Sequence, residues 1–280
     1  MSLRKQSVLA LALATSLLFA SACSSDSDGA SDVSTDSGDS SGAITSLSDL
    51  AGKRIGVQSS TTGATYATEN APSDAEIVEF DDTDGLFGAL ESGDIDAILQ
   101  DLPVNAGRAA EDDSVSVVET YPTDEQYGFA VAKGSDLKAE LDEALANVRS
   151  SGDYDLLYEK YFPVDGAEPG PGPEASDVEG SETLKVCSDI PYAPMEFEGD
   201  GPRGLSYTGF DIDLMDAMAV QLDANLEILD VSFDGILGNL AGGTCDVVAS
   251  SVTITDERAQ EVDFTEPYFD ADQSLLVKVG

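Results

Sequence analysis

The amino-acid sequence predicts an α/β protein whose chain forms two doubly wound lobes around a central cleft. Short β-branched runs alternate with amphipathic stretches, the pattern of a largely parallel sheet flanked by helices. A Pro/Gly/Glu-rich run, Ala167-Glu168-Pro169-Gly170-Pro171-Gly172-Pro173, separates two structured segments, roughly 46–163 and 183–280. The segments also repeat one another. Asp84-Gly85-Leu86-Phe87-Gly88-Ala89-Leu90, Gly93 and Asp96 match Asp234-Gly235-Ile236-Leu237-Gly238-Asn239-Leu240, Gly243 and Asp246 at a constant offset of 150, without a gap. Ligands of open α/β sheets bind at the carboxyl ends of the strands, so two such lobes face to face enclose a binding cleft.

In the first segment, residues 54–58, 76–80, 97–99 and 115–118 read as strands with helical stretches between them, and helices are expected over 136–149 and 153–161. The second segment opens with a strand at 184–186. Helix 209–223 follows, with Phe210, Leu214, Met218 and Leu222 at four-residue spacing on one face. Strand 226–231, a helix near 236–240 and strand 246–249 complete the pattern. In both copies of the repeat a short helix ends at a glycine, Gly93 or Gly243, suited to a left-handed cap before a buried strand.

Composition removes several function classes. The 280 residues carry 55 Asp+Glu against 13 Lys+Arg, a formal charge of −42, which argues against nucleic acid because phosphate binding rests on clustered Lys and Arg. The absence of His excludes Ser-His-Asp triads, Cys-His dyads and His-ligated zinc. Three Cys cannot make a four-thiolate site, so no metal and no cofactor is expected. A 41% hydrophobic content is enough to build real cores.

At the N-terminus, Arg4 and Lys5 precede an apolar run over 8–20 and the small residues Ala20-Ser21-Ala22. The run is too short for a membrane-spanning helix and reads as a signal peptide, 1–22. A Cys directly after the small residues resembles the bacterial lipobox. The resemblance implies lipidation of Cys23 and an extracytoplasmic protein anchored to the bacterial cell membrane, touching it through that lipid only; an ordinary cleaved signal with a free thiol is the alternative. Residues 24–42 are almost wholly Ser, Asp, Gly and Ala, too polar to offset chain entropy, so 23–45 is expected to be a flexible tether.

Several motifs are familiar. Cys187-Ser188-Asp189-Ile190-Pro191-Tyr192-Ala193-Pro194-Met195-Glu196-Phe197, Gly209-Phe210-Asp211-Ile212-Asp213-Leu214-Met215, Ser232-Phe233-Asp234-Gly235, Thr253-Ile254-Thr255-Asp256-Glu257-Arg258 and Asp263-Phe264-Thr265-Glu266-Pro267-Tyr268-Phe269 resemble the first half of the polar amino-acid-binding proteins that serve ABC importers. Leu47-Ser48-Asp49-Leu50-Ala51-Gly52-Lys53, Gln58-Ser59-Ser60-Thr61-Thr62-Gly63, Leu99-Gln100-Asp101-Leu102-Pro103 and Tyr127-Gly128-Phe129-Ala130-Val131 resemble the second half, and Gly152-Asp153-Tyr154-Asp155 to Tyr161-Phe162 resembles that family's C-terminus. The resemblance implies the periplasmic-binding-protein fold of type II, extracellular solute-binding protein family 3. Here the halves stand in reversed order, which implies a circular permutation cut at one of two strands that cross between lobes. The expected organisation is lobe 2 at 46–126, an interlobe crossing at 127–131, and the C-terminal helices of lobe 1 at 132–163. A linker at 164–182 joins the usual termini, and 183–280 forms the main part of lobe 1, ending at the second hinge strand.

A free amino acid carries a carboxylate and an ammonium, and a closed site must pair each, because an unpaired buried charge is costly. The guanidinium of Arg258 suits a bidentate grip on the carboxylate; by resemblance it fills that role, helped by Thr253 and the Thr61/Thr62 loop. A solvent-facing ion pair is its competing role. Asp101, ending a strand, would accept the ammonium, with a helix N-cap as the alternative. By resemblance Tyr192 and Phe233 sandwich the ligand side chain, though either could be plain core. Asp189, Ser250 and Ser251 read the side chain, and the Asp fits a cationic or amide-bearing ligand better than an acidic one. The resemblance thus implies a monomeric lipoprotein that captures a polar or basic amino acid and delivers it to an ABC transporter permease. An exported dehydratase of the same fold, acting on a cyclic precursor of aromatic amino acids (a cyclohexadienyl dehydratase), and a sensory input module are the alternatives. Cys187 and Cys245 end one strand and begin another of the same sheet, and export to an oxidising compartment predicts their disulfide; two buried thiols would be the other outcome.

Overall fold

The computed structural model describes residues 43–164, 167–174, 176 and 178–279. The signal peptide, Cys23 and the tether up to residue 42 lie outside the described residues, as does Gly280.

The first segment supplies strands β1 (Arg54–Gln58), β2 (Glu76–Phe80), β3 (Ala97–Asp101), β4 (Val115–Tyr127) and β5 (Ala130–Ala132). Its helices are α1 (Thr62–Asn70), α2 (Thr83–Ser92), α3 (Leu102–Glu111), α4 (Leu137–Ser151) and α5 (Asp153–Tyr161). The second supplies β6 (Glu182–Ser188), the short pair β7 (Phe197–Glu198) and β8 (Tyr207–Thr208), then β9 (Ala224–Asp230), β10 (Val247–Val248), β11 (Val262–Phe264) and β12 (Phe269–Lys278). Its helices are α6 (Phe210–Gln221), α7 (Ile236–Ala241) and α8 (Arg258–Glu261).

Two five-stranded sheets result, ordered β2-β1-β3-β12-β4 and β9-β6-β10-β5-β11. The orders correspond term by term: three parallel strands, then an antiparallel strand from the other segment, then a strand antiparallel to that one. The sheets are therefore mixed, where the sequence pattern suggested a largely parallel arrangement. The returning strands β12 and β5 are mostly buried, as their neighbours are, so burial leaves no trace of strand direction in their residues. Each sheet is covered on both faces, as a doubly wound fold requires. Along β12, Leu275 and Val277 pack into one core with Leu50, Val57 and Ala67, while Leu276 turns into another with Leu86, Leu90 and Ile98. In the other lobe Val186 and Cys187 divide in the same way between two clusters.

Strand β12 corrects the expected division of the chain. Residues 183–280 read as one lobe ending at a hinge strand, yet β12 runs on as an inner strand of the opposite sheet, paired with β3 from Gln273↔Asp101 to Val277↔Ala97 and with β4 from Phe269↔Tyr127 to Lys278↔Val115. Among the described residues the chain thus passes between lobes twice, at Tyr127–Ala130 and at Tyr268–Phe269. Helices α4 and α5 pack on the lobe of β6 and α6: Leu141, Leu145, Val148 and Leu157 share a core with Val186, Phe210 and Leu214. The linker lies along that same lobe, where Gly170 N–H donates to Glu159 O (3.1 Å) and Gly180 N–H to Asn225 Oδ1 (3.0 Å).

The repeated motif behaves alike in both lobes with one difference. Gly93 closes α2 in the left-handed region (φ 82°), and Gly243 does so just beyond α7 (φ 69°). Gly85 is helical, whereas Gly235 is itself left-handed (φ 78°), which delays α7 to Ile236 and shortens it. Cys187 and Cys245 form a disulfide, with Cα atoms 5.8 Å apart, stapling β6 to the turn before β10.

Candidate ligand site between the lobes

All ten residues singled out from the sequence line one cavity between the two sheets. Each stands just beyond the carboxyl end of a strand or at a helix start. Asp101 ends β3, Thr61 and Thr62 open α1, Asp189 and Tyr192 follow β6, Phe233 follows β9, Ser250, Ser251 and Thr253 follow β10, and Arg258 opens α8.

Arg258 is not a surface ion pair. Its Nη1 donates to Thr253 O (2.9 Å) and its Nη2 reaches across the cleft to Ser60 O (3.0 Å), while the guanidinium lies 5.4 Å from the ring centre of Phe233. Three of its five N–H donors remain for a ligand. Burial lowers its pKa, and the charges of Asp101, Glu125 and Glu257 oppose that shift. Ser60, whose carbonyl it holds, is a non-glycine residue in the left-handed region (φ 63°), and so is Ser251 (φ 49°) on the opposite wall. Such strained positions collect at ligand sites.

Asp101 occupies the N-cap position of α3 yet caps nothing with its side chain. Its carboxylate instead accepts from the Tyr127 hydroxyl and from Gln273 Nε2 (2.5 Å). Burial first, and the neighbouring charge of Glu125 second, push its pKa up to about 6, against the hydrogen bonds from Tyr127, Gln273 and Tyr192. Asp189 accepts from Gln58 Nε2 of the other lobe (2.6 Å), and burial raises it to about 6 as well. Ser250 donates to Glu196 Oε1 (3.0 Å) and accepts from Asp189 N–H (2.9 Å); Ser251 donates to Glu196 Oε2 (3.4 Å).

Two cavity residues escaped the sequence reading of the ligand site. Gln58 ends β1, a position the strand-end rule could have flagged. Glu196 is fully buried and shares Ser251 with Asp211, whose Oδ2 accepts from Ser251 N–H (2.8 Å) and the Tyr268 hydroxyl (2.6 Å). Burial, together with the mutual repulsion of the pair, holds Glu196 well above the usual carboxylate range. Among the described residues none of Asp101, Asp189, Glu196 or Asp211 forms an ion pair. No helix among those residues is long and apolar enough to cross a membrane.

Residues 56–164 and 184–280 match the bacterial extracellular solute-binding proteins, family 3. The chain belongs to that family. Among its relatives, a probable histidine-binding protein of Neisseria gonorrhoeae is 39% identical over 99 residues, 35% of this chain and 36% of that protein. The L-cystine-binding protein of Escherichia coli K12 is 35% identical over 98 residues, again 35% of this chain and 36% of the relative. The matched stretches thus span little more than a third of the length of these relatives. A solved ancestral arginine-binding protein bound to glutamine is 40% identical over 31% of this chain and 37% of its own, with a TM-score of 0.29. Membership of this extracellular family places the protein outside the cytoplasm.

Proposed function

We propose that this chain is an extracytoplasmic, Cys23-lipidated binding protein that captures a polar or basic amino acid between its lobes and hands it to an ABC transporter permease. One observation carries the reading: a single cavity places one guanidinium, Arg258, with the carboxylates of Asp101 and Asp189 contributed from opposite lobes. The α-carboxylate would take the free N–H donors of Arg258, and the α-ammonium would lie on Asp101. The side chain would lie between Tyr192 and Phe233, with its polar end on Asp189, Ser250 and Ser251. The cavity sets more than one carboxylate against its single guanidinium, an excess of acid that favours a cationic or neutral polar ligand over an acidic one. The names of the relatives, which are binding proteins for histidine and cystine, favour binding over catalysis.

The chain order is proposed to be a circular permutation of the family order. Supporting this are the packing of α4 and α5 on the lobe of α6, and Ile44 packing into the same core as Val277, so the two cut ends lie together. Both sides of the linker rest on one lobe, as joined former termini would. A thermal-shift panel of the twenty amino acids tests the ligand reading, because a ligand that binds only the folded state raises apparent stability. Turnover of prephenate by the purified protein would replace it with the dehydratase reading, for which the buried acid Glu196 would be the candidate proton donor.

A further inference from the structure

Residues outside the proposed set converge on the ammonium end of the cavity. Gln273 lies on β12, is fully buried, and donates from Nε2 to both Asp101 Oδ1 (2.5 Å) and Glu125 Oε1 (3.1 Å). One nitrogen thus holds two carboxylates side by side. The other oxygen of Glu125 accepts from the Thr62 hydroxyl (2.7 Å) of one lobe and the Thr253 hydroxyl (2.8 Å) of the other. Glu125 itself lines the wider opening that shares Thr61, Thr62, Phe233 and Arg258 with the cavity. Among the described residues neither Glu125 nor Asp101 has an ion-pair partner.

Two like charges held together without a cation repel, and a cation placed between them removes the repulsion. Gln273 cannot do this, since its amide is neutral, and Arg258, though its charge acts on both acids, forms an ion pair with neither among the described residues. An ammonium carries three N–H donors, and Asp101, Glu125 and the Thr253 hydroxyl oxygen offer three acceptors. Resting on the amino-acid reading above, we propose that Glu125 is a second ammonium-binding carboxylate beside Asp101, and that Gln273 is the residue that positions the pair. Glu125 also sets polarity: a ligand inserted backwards would bring its carboxylate against two negative groups, so the carboxylate is directed to Arg258. Because Thr62 and Thr253 reach Glu125 from opposite lobes, the ammonium end is assembled only when the lobes meet.

Matched ligands with and without the α-ammonium test this. L-arginine is compared with 5-guanidinopentanoate, and L-glutamine with glutaramate, by calorimetry and ligand-detected NMR on the parent, Glu125→Gln and Gln273→Leu. Both variants should weaken the amino acids about tenfold to a hundredfold, the range of a charge-assisted hydrogen bond, and weaken the des-amino analogues less than about twofold. Retained analogue binding also reports that the variant is folded. Equal weakening of amino acid and analogue would make Glu125 a structural clasp, and unchanged amino-acid affinity would leave it no role; either overturns the proposal alone. A parent that binds none of the four overturns the amino-acid reading, and this proposal with it.

Discussion

Replacing Arg258 by Ala removes the one cation that lines the cavity among the described residues. In the parent, Nη1 and Nη2 each spend one N–H on a carbonyl, so the remaining donors can grip a carboxylate with two charge-assisted hydrogen bonds. At about 1.5–3 kcal/mol for each such bond, the variant should lose about 3–6 kcal/mol of binding, a rise in Kd of about a hundredfold to ten-thousandfold. The cost to folding should be smaller, because the two carbonyls freed are neutral acceptors beside a cleft that water can enter. Calorimetric titration with L-arginine and L-glutamine reads the first effect, and urea unfolding reads the second. Arg258→Lys, which keeps the charge but lacks the fork, should fall between parent and Ala. If Arg258→Ala binds within about threefold of the parent, the guanidinium does not hold the carboxylate, and the ligand orientation proposed here is wrong.

Asp101 and Asp189 both stand near pKa 6 against 3.8 unfolded, so the folded state binds more protons than the unfolded state between those values. Stability without ligand should rise as pH falls from 7 to 4, while affinity for a cationic ligand falls through pH 6 because both carboxylates must be ionised. Thermal unfolding and calorimetry across that range should show these opposite trends, and parallel trends would refute the pairing. Asp189→Asn should stabilise the ligand-free protein at pH 8 and abolish any preference for lysine or arginine over glutamine, as competition binding would reveal. Reducing the Cys187–Cys245 disulfide, which closes 58 residues, should cost up to about 4 kcal/mol in a urea unfolding series; no loss would mean that the bridge adds nothing. A chain reordered so that residue 280 continues into 43, with the linker opened, should bind its amino acid as tightly as the parent, and loss of folding would contradict the permuted order.

Much of this was legible in the sequence, for physical reasons that differ by element. Strands β1 and β2 were readable to the residue because apolar runs are bounded by turn residues. The far half of β4 was not, because Glu119 and Thr120 lie beyond the β-branched run and are held extended by cross-strand pairing with Leu275 and Ser274 of β12, about 150 residues away. Ten site residues were found from the motifs, whereas Gln58 and Glu196 stand in those same motifs and were passed over. Gln58, Glu125, Glu196 and Gln273 are polar side chains of a type that is usually solvated, and only the folded chain shows that three of them are buried and one is half-buried. The role of Asp101 needed the structure in another way: its N-cap position was predictable, but the choice of Tyr127 and Gln273 over the helix end is made by tertiary packing.

The central claim is that a free amino acid binds between the lobes with its carboxylate on Arg258 and its ammonium on Asp101. Calorimetric titration of the purified protein with L-arginine, L-lysine, L-glutamine and L-glutamate tests it most directly. The account predicts Kd values of about micromolar or tighter for at least one basic or amide-bearing ligand, lost in both Arg258→Ala and Asp101→Asn, with L-glutamate the weakest of the four. Heat signals absent for all four, or tightest binding of L-glutamate, would contradict it.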